Sequence, residues 1–415
     1  MFFRPLCIVL IISGTISVQA EESLIVNHID TIQENTALDL SSLLIQTVKK
    51  YPDTRLIDAI QQQSRALNRR GSQWTAGAAT VFVDYRDDFA GSQTGAYEVD
   101  AGVSVPLWNW GQREAGLKLA ESAAKNIAYQ EQAIALKVSG LLRHSLWNIA
   151  MARLQHEVVQ SAFNFSEQLL VTVKRRVELG DLAQADLLLA QSDMLQKKTL
   201  LLQAEAEVMH TRKAYFYLSK TDVMPADIEE QQSAIQSIRA EHPALLLLAT
   251  QLATKQAELV WLKSRGSGQT TLSIGGNTER GQSGAASVDS ITFGLSVPFG
   301  GTAYVAPTVA LAHREYVALE VKKSHLYKTL ELELHEAEHA LEIEQASFVL
   351  AEKMAVNARE HLKIADLSFE AGEINLMDYL RVQEYAQKAM NQLEESRLKL
   401  QRNIALYNQS VGVSL

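Results

Sequence analysis

Tyr97-Glu98-Val99-Asp100-Ala101-Gly102-Val103-Ser104-Val105-Pro106-Leu107 is the stretch that decides the fold. From Tyr97 to Val105 every odd-numbered residue is apolar, and Glu98, Asp100, Gly102 and Ser104 between them are polar or small. Successive side chains of a strand point to opposite faces, so this strand has one apolar and one polar side. Thr80 to Arg86 makes a partner for it, with Val81, Val83 and Tyr85 opposite Phe82, Asp84 and Arg86. Much later, Leu272 and Ile274 alternate with Thr271, Ser273 and Gly275. Ile291, Phe293, Leu295 and Val297 alternate with Ser290, Thr292, Gly294 and Ser296. Soluble sheets alternate too, but strands of about ten residues, apolar on one side and small-polar on the other, match those of membrane β-barrels. The segments around Gly91-Ser92 and Gly281 to Gly284 read as exposed loops. Trp74, Trp108 and Trp110 flank the first hairpin, as an interfacial belt or as buried structural tryptophans. Four strands cannot close a barrel, and an open edge in lipid leaves backbone groups unsatisfied. The chain is therefore expected to assemble with copies of itself, two giving eight strands or three giving twelve.

Working outward, the whole chain reads as one unit said twice. Ser104-Val105-Pro106-Leu107 is echoed by Ser296-Val297-Pro298-Phe299. Gly180-Asp181 with Asp186-Leu187 is echoed by Gly372-Glu373 with Asp378-Tyr379, and Gln191 by Gln383. These echoes share a spacing of 192 residues, and Tyr51-Pro52 with His242-Pro243 differs from it by one. Each copy has a lead-in helix, near Asp39 to Arg70 and near Pro243 to Ser264, and then its two strands. A very long helical stretch follows, roughly Gln112 to Glu178 and Tyr304 to Glu370, expected to run unbroken by proline. After a glycine, a helix returns, roughly Gln184 to Ser219 and Asn375 to Gln409. At 1.5 Å per residue each long stretch reaches about 100 Å, more than a compact globule of this size can hold. Gly180 and Gly372 fit the left-handed position that ends a helix, so each rod folds back as a hairpin. Apolar residues at threes and fours, such as Leu117, Ala120, Ala124 and Ile127, predict coiled-coil-like packing. The fold class is mainly α, with a small membrane β contribution. Its division is residues 21–230 (strands about 75–106, helices about 112–219) and 231–415 (strands about 268–298, helices about 304–409).

The first twenty residues are expected to lie outside that fold. Arg4, the apolar run Leu6 to Ile12 and the small-x-small Val18-Gln19-Ala20 have the layout of a signal peptide, residues 1–20. The one cysteine, Cys7, falls within it, so the mature chain would have no disulfide, thiolate metal site or cysteine nucleophile. A net charge of −9, with Lys174-Arg175-Arg176 the longest basic run, argues against nucleic acid. No later segment has some twenty unbroken apolar residues, so no transmembrane helix is expected.

The signal peptide, the duplicated order of helix, hairpin, long helix, glycine and helix, the Val-Pro-Leu and Val-Pro-Phe junctions, and the turn motifs at 180–187 and 372–379 together resemble the TolC family of outer-membrane efflux proteins. A short chain without a lipid-attachment cysteine resembles its heavy-metal efflux branch. The resemblance covers essentially the whole mature chain. It implies a homotrimer with one 12-stranded barrel in the outer membrane and a twelve-helix periplasmic tunnel. That assembly would be a passive duct in a tripartite efflux or type I secretion system, served by a periplasmic adaptor and an inner-membrane pump. Pro106 and Pro298 match the family's strand-to-helix junctions. Gly180, Asp181, Gly372 and Glu373 would lie at the adaptor-docking tips. Asp378 matches a carboxylate constriction ring, while Arg381 stands where some members carry a second aspartate. The alternative for Asp378 is a cap on the returning helix, near whose start it lies, a job that Asp186, at the matching place in the first copy, could also do.

Two rival functions remain. His335-Glu336-Ala337-Glu338-His339 fits the zinc-protease pattern H-E-x-x-H, but no third ligand is evident, and a rod face is expected to offer no cleft. A periplasmic adaptor would also use a long hairpin, although with one hairpin between flanking β-domains. No catalytic residue, cofactor or metal site is expected.

Overall fold

The computed structural model describes residues 31–415 apart from 181, 182, 372 and 375. The expected signal peptide lies outside these residues, as do Asp181 and Gly372. Two rods dominate. Helix α3 spans Gln112–Glu178 and returns as α4, Gln184–Ser219. Helix α6 spans Thr302–Glu370 and returns as α7, Leu376–Ser410. Each rod packs along its returning helix, α7 also lies against α3, and α5, Pro243–Ser264, fills the space between α3 and α6. Among the described residues, no helix is long and apolar enough to cross a membrane.

Two expectations need correction. The first lead-in is two helices, α1 (Leu40–Lys50) and α2 (Thr54–Ser72). Tyr51 precedes Pro52 and is extended, with ψ 133°, because the proline ring crowds a helical neighbour before it. The second rod also contains a proline, Pro307, in its second turn. It removes one hydrogen bond, and the helix continues past it for more than sixty residues.

The sheet has the order β2-β3-β5-β6, all antiparallel, with β2 Thr80–Asp87, β3 Tyr97–Pro106, β5 Thr271–Arg280 and β6 Val288–Ser296. The strands of both halves thus join through β3 and β5, and β2 and β6 are left as edges. Two three-residue strands, β1 (Gln33–Asn35) and β4 (Val223–Pro225), form a separate parallel pair that sequence reading does not anticipate.

The core is not uniform along the rods. At mid-length, Leu43 and Leu44 from α1 pack with Ile134, Val138, Leu142 and Leu146 of α3 and with Tyr215 of α4. Ile238, Leu245, Leu330, Leu334 and Tyr407 do the same in the second half. The phenols of Tyr215 and Tyr407, 192 residues apart, each donate to a backbone oxygen of the segment that wraps the rods, Val223 O at 2.7 Å and Ile235 O at 2.6 Å. Between these halves Arg143 is almost wholly buried. Its guanidinium makes two bonds to Glu230, at 2.8 and 2.7 Å, and reaches Gln409 at 2.6 Å and Val413 O at 2.8 Å. Farther out the seam narrows to alanines: Ala358 of α6 packs with Ala386 and Ala389 of α7, and Ala355 and Ala365 of α6 are buried as well. Small side chains let two helices approach closely, and spacings of three and four give the seam a coiled-coil character.

Candidate functional site

The register gathers the apolar side chains of the sheet on one side, apart from Phe82 and Val288, which fall on the other. One row runs Val81, Val103, Ile274, Phe293; the next runs Val83, Ala101, Gly276, Ile291. Among the described residues no helix covers this face: Val81, Val83, Ile291 and Phe293 are each 68–74% exposed. Moving one such side chain from water to an apolar medium is worth ~1.5–3 kcal/mol, so a bare face of this extent calls for an apolar partner.

The opposite face is polar. Asp84 pairs with Asp100 and Arg86 with Glu98, and Arg86 holds Glu98 at 2.9 Å. The amide of the buried Asn277 donates to both Glu98 and Asp100, at 2.8 and 2.9 Å. At the centre Gly102 faces Gly275. A Cβ on Gly102 would fall 2.5 Å from Ile274 O, so a side chain there would push the strands apart.

At one end of the sheet, Asp88 organises the β2–β3 loop. Its carboxylate accepts from the Ser92 and Thr94 hydroxyls and from the Thr94 and Gly95 amides. These bonds, led by the Thr94 hydroxyl, hold its pKa down at about 2. On the apolar face nearby, the Arg280 guanidinium lies 4.7 Å from the centre of the Tyr97 ring. At the other end strands become helices. Ala76 donates to Pro106 O at 2.9 Å and Leu107 to Thr270 O at 2.7 Å, and Pro298 packs over Gly268. The two readings of the tryptophans divide here. Trp108 is partly buried and donates to Gln73 O at 3.1 Å, whereas Trp74 and Trp110 are almost fully exposed, as are Phe299 and Tyr304.

The tips lie at the far ends of the rods. Gly180 has φ +84°, a conformation that side chains with a Cβ rarely take, and its N–H bonds Val177 O. In the second tip Glu373 donates its N–H to Ser368 O at 2.8 Å, the six-to-one bond of a helix C-terminal motif. Asp186 does cap its helix: its carboxylate accepts from the Ala183 amide at 3.1 Å. Asp378 sits in the first turn of α7, exposed, 3.7 Å from Arg381. Sequence reading missed the apolar character of the tips. Leu179, Leu188, Leu189, Ile364, Leu367 and Met377 are all more than half exposed. The Leu187-Leu188-Leu189 run was the available signal, because three successive leucines cannot all face one neighbour.

The H-E-x-x-H segment lies on α6 beside a real hollow, contrary to the expected featureless face. A cavity of about 480 Å³ opens between α3, α6 and α7, lined by Glu336, Glu333, Lys137 and His242. The rings of His335 and His339 are exposed and do not line it. Among the described residues, no three His, Cys, Asp or Glu side chains converge as metal ligands.

No protein-family model matches the chain, and no curated protein matches it. Solved structures do match in fold. The outer-membrane channel OprN superposes with a TM-score of 0.69 at 15% identity, over 90% of this chain and 89% of that one. The outer membrane protein VceC from Vibrio cholerae gives 0.67 at 15%, over 90% and 96%. The open state of the Neisseria gonorrhoeae MtrE outer membrane channel gives 0.65 at 14%, over 90% and 89%. The chain therefore has the fold of these outer-membrane channels along nearly its whole length.

Proposed function

We propose that the chain is one subunit of a homotrimeric outer-membrane duct, through which an inner-membrane pump and a periplasmic adaptor export substrates. One observation carries this reading: a four-stranded sheet with a bare apolar face, two unpaired edges and a charged inner face, standing on rods about 100 Å long. Lipid covers such a face, and neighbouring copies pair such edges. Strands of 8–10 residues suit the height of a bilayer core. The exposed Trp74, Trp110, Phe299 and Tyr304 suit its inner interface. That the matching structures are themselves outer-membrane channels supports the same reading. An adaptor's single hairpin between separate β-domains does not describe two hairpins sharing one sheet.

Residues 21–230 and 231–415 are the two structural repeats, and residues 1–20 the export signal. The tips at Gly180 and Asp181, and at Gly372 and Glu373, dock the adaptor through the exposed leucines beside them. Asp378 narrows the duct at its periplasmic end, since threefold symmetry brings three copies together, with Arg381 moderating the ring's charge. Recording from single channels in planar bilayers tests the duct and its gate together. The expected result is a stable conductance that multivalent cations block from the tip side, with the block weakened in Asp378→Asn. A protein that inserts and never conducts refutes the duct; an unchanged block in the variant refutes the Asp378 ring alone.

A further inference from the structure

The channel reading leaves the paired histidines of α6 without a task. We propose that His335 and His339 form a two-imidazole site for a divalent transition-metal ion of the copper, nickel and zinc class, completed by water. Residues four apart lie one above the other on a helix, with Cβ atoms about 5–6 Å apart. Here the rings stand nearly parallel, 9° apart in plane and 6.4 Å between centres. Both are exposed, and among the described residues neither makes a hydrogen bond or ion pair that would have to be broken. An ion bound at about 2.0–2.1 Å from one nitrogen of each ring is reached by rotating the two exposed side chains toward each other. The helix beneath them is continuous over 69 residues and holds the pair in place.

The surroundings favour a cation. Glu331 precedes His335 by one turn, Glu338 follows it by three residues, and Glu342 follows His339 by three. Among the described residues none joins the histidines in a three-ligand cluster, so the remaining coordination positions belong to water. Imidazole suits copper, nickel and zinc, and copper(II) binds a given site most tightly among them. Glu336 faces the cavity instead and has no part in this chelate, which separates the proposal from a zinc-protease reading.

The test uses the full-length protein in detergent, purified without a polyhistidine tag and titrated with copper(II) while its electron paramagnetic resonance spectrum is followed. The expected spectrum shows one tight copper per chain, with splitting from two nitrogens. His335→Ala and His339→Ala should each weaken binding by about tenfold or more, since each leaves a single arm of the chelate. Glu336→Gln should bind as the parent does. Unchanged affinity in either histidine variant, a spectrum lacking two-nitrogen splitting, or loss of binding in Glu336→Gln overturns the proposal. Channel conductance is a separate readout, so failure here leaves the duct standing.

Discussion

At the scale of single residues, His242 joins two helices end to end. It is 4% exposed and caps α5 by accepting the Ala244 amide on Nδ1 at 3.3 Å, where α7 finishes beside it. A Cβ on Gly412 would fall 2.5 Å from its ring. Burial lowers its pKa from the ordinary 6.5, against a smaller opposing pull from the Ser410 backbone. The unfolded chain therefore binds the proton more tightly. The contribution of neutral His242 is complete above about pH 6.5 and declines as pH falls toward the lowered value. Protonation of Nδ1 would also turn the cap acceptor into a donor facing a donor. Thermal unfolding in detergent should thus show a Tm that drops as pH falls below about 6.5, with a flatter profile in His242→Asn; identical profiles would mean that His242 does not set this pH dependence. Arg143 poses the opposite case, a buried charge held by its partners. Glu230→Ala leaves the guanidinium without its counter-ion, and removing one member of a buried pair costs about 3–5 kcal/mol. A midpoint of chemical denaturation equal to the parent's would contradict that role. Gly180→Val forces a β-branched side chain into φ +84° and should disrupt the first tip, abolishing efflux while leaving membrane insertion intact; normal resistance would count against tip docking.

At the scale of elements, the sheet makes the sharpest prediction. Phe293 lies mid-strand on the bare face, paired with Ile274. Phe293→Lys puts a charge where lipid should be, at a cost of about 2–4 kcal/mol near the bilayer centre, while Thr292→Lys points to the polar side. The first should fail to assemble in membranes and the second should assemble. Equal assembly would mean that the face is not lipid-exposed. This element was legible in the sequence because period-two alternation survives whatever covers the strand. Ala, Leu, Glu, Gln and Lys at helical spacing made the rods legible for a similar reason. The parallel pair β1–β4 was not legible: three residues carry no period, and its register depends on contact across nearly 190 residues of chain. The break at Tyr51 was written in Pro52 but obscured by continuous helical pattern on both sides. At the tips the leucine run 187–189 signalled exposure, but which leucines are bare, like the mid-rod cavity beside Glu336, emerges only once the rods are placed, because exposure is a property of neighbours.

At the scale of the whole molecule, the proposed trimer makes the polar face the wall of a passage. Asp84, Glu98, Asp100 and Glu279 outnumber Arg86 on it, and rings of carboxylates select cations. Reversal potentials in a salt gradient should therefore show cation preference, reduced in Asp84→Asn with Asp100→Asn; anion preference in the parent would mean that this face does not line the pore. In the proposed trimer β2 and β6, the two edges of the sheet, meet between copies and close a twelve-stranded ring. Cys7 is the sole cysteine of the sequence, so single cysteines placed at positions 81, 83 or 85 of β2 and 291, 293 or 295 of β6 can be oxidised in membranes and read on a denaturing gel. The account predicts a ladder of one, two and three chains that stops at three, with the fully linked ring as its last band. A ladder ending at two, one running past three, or monomer at every position pair would contradict it.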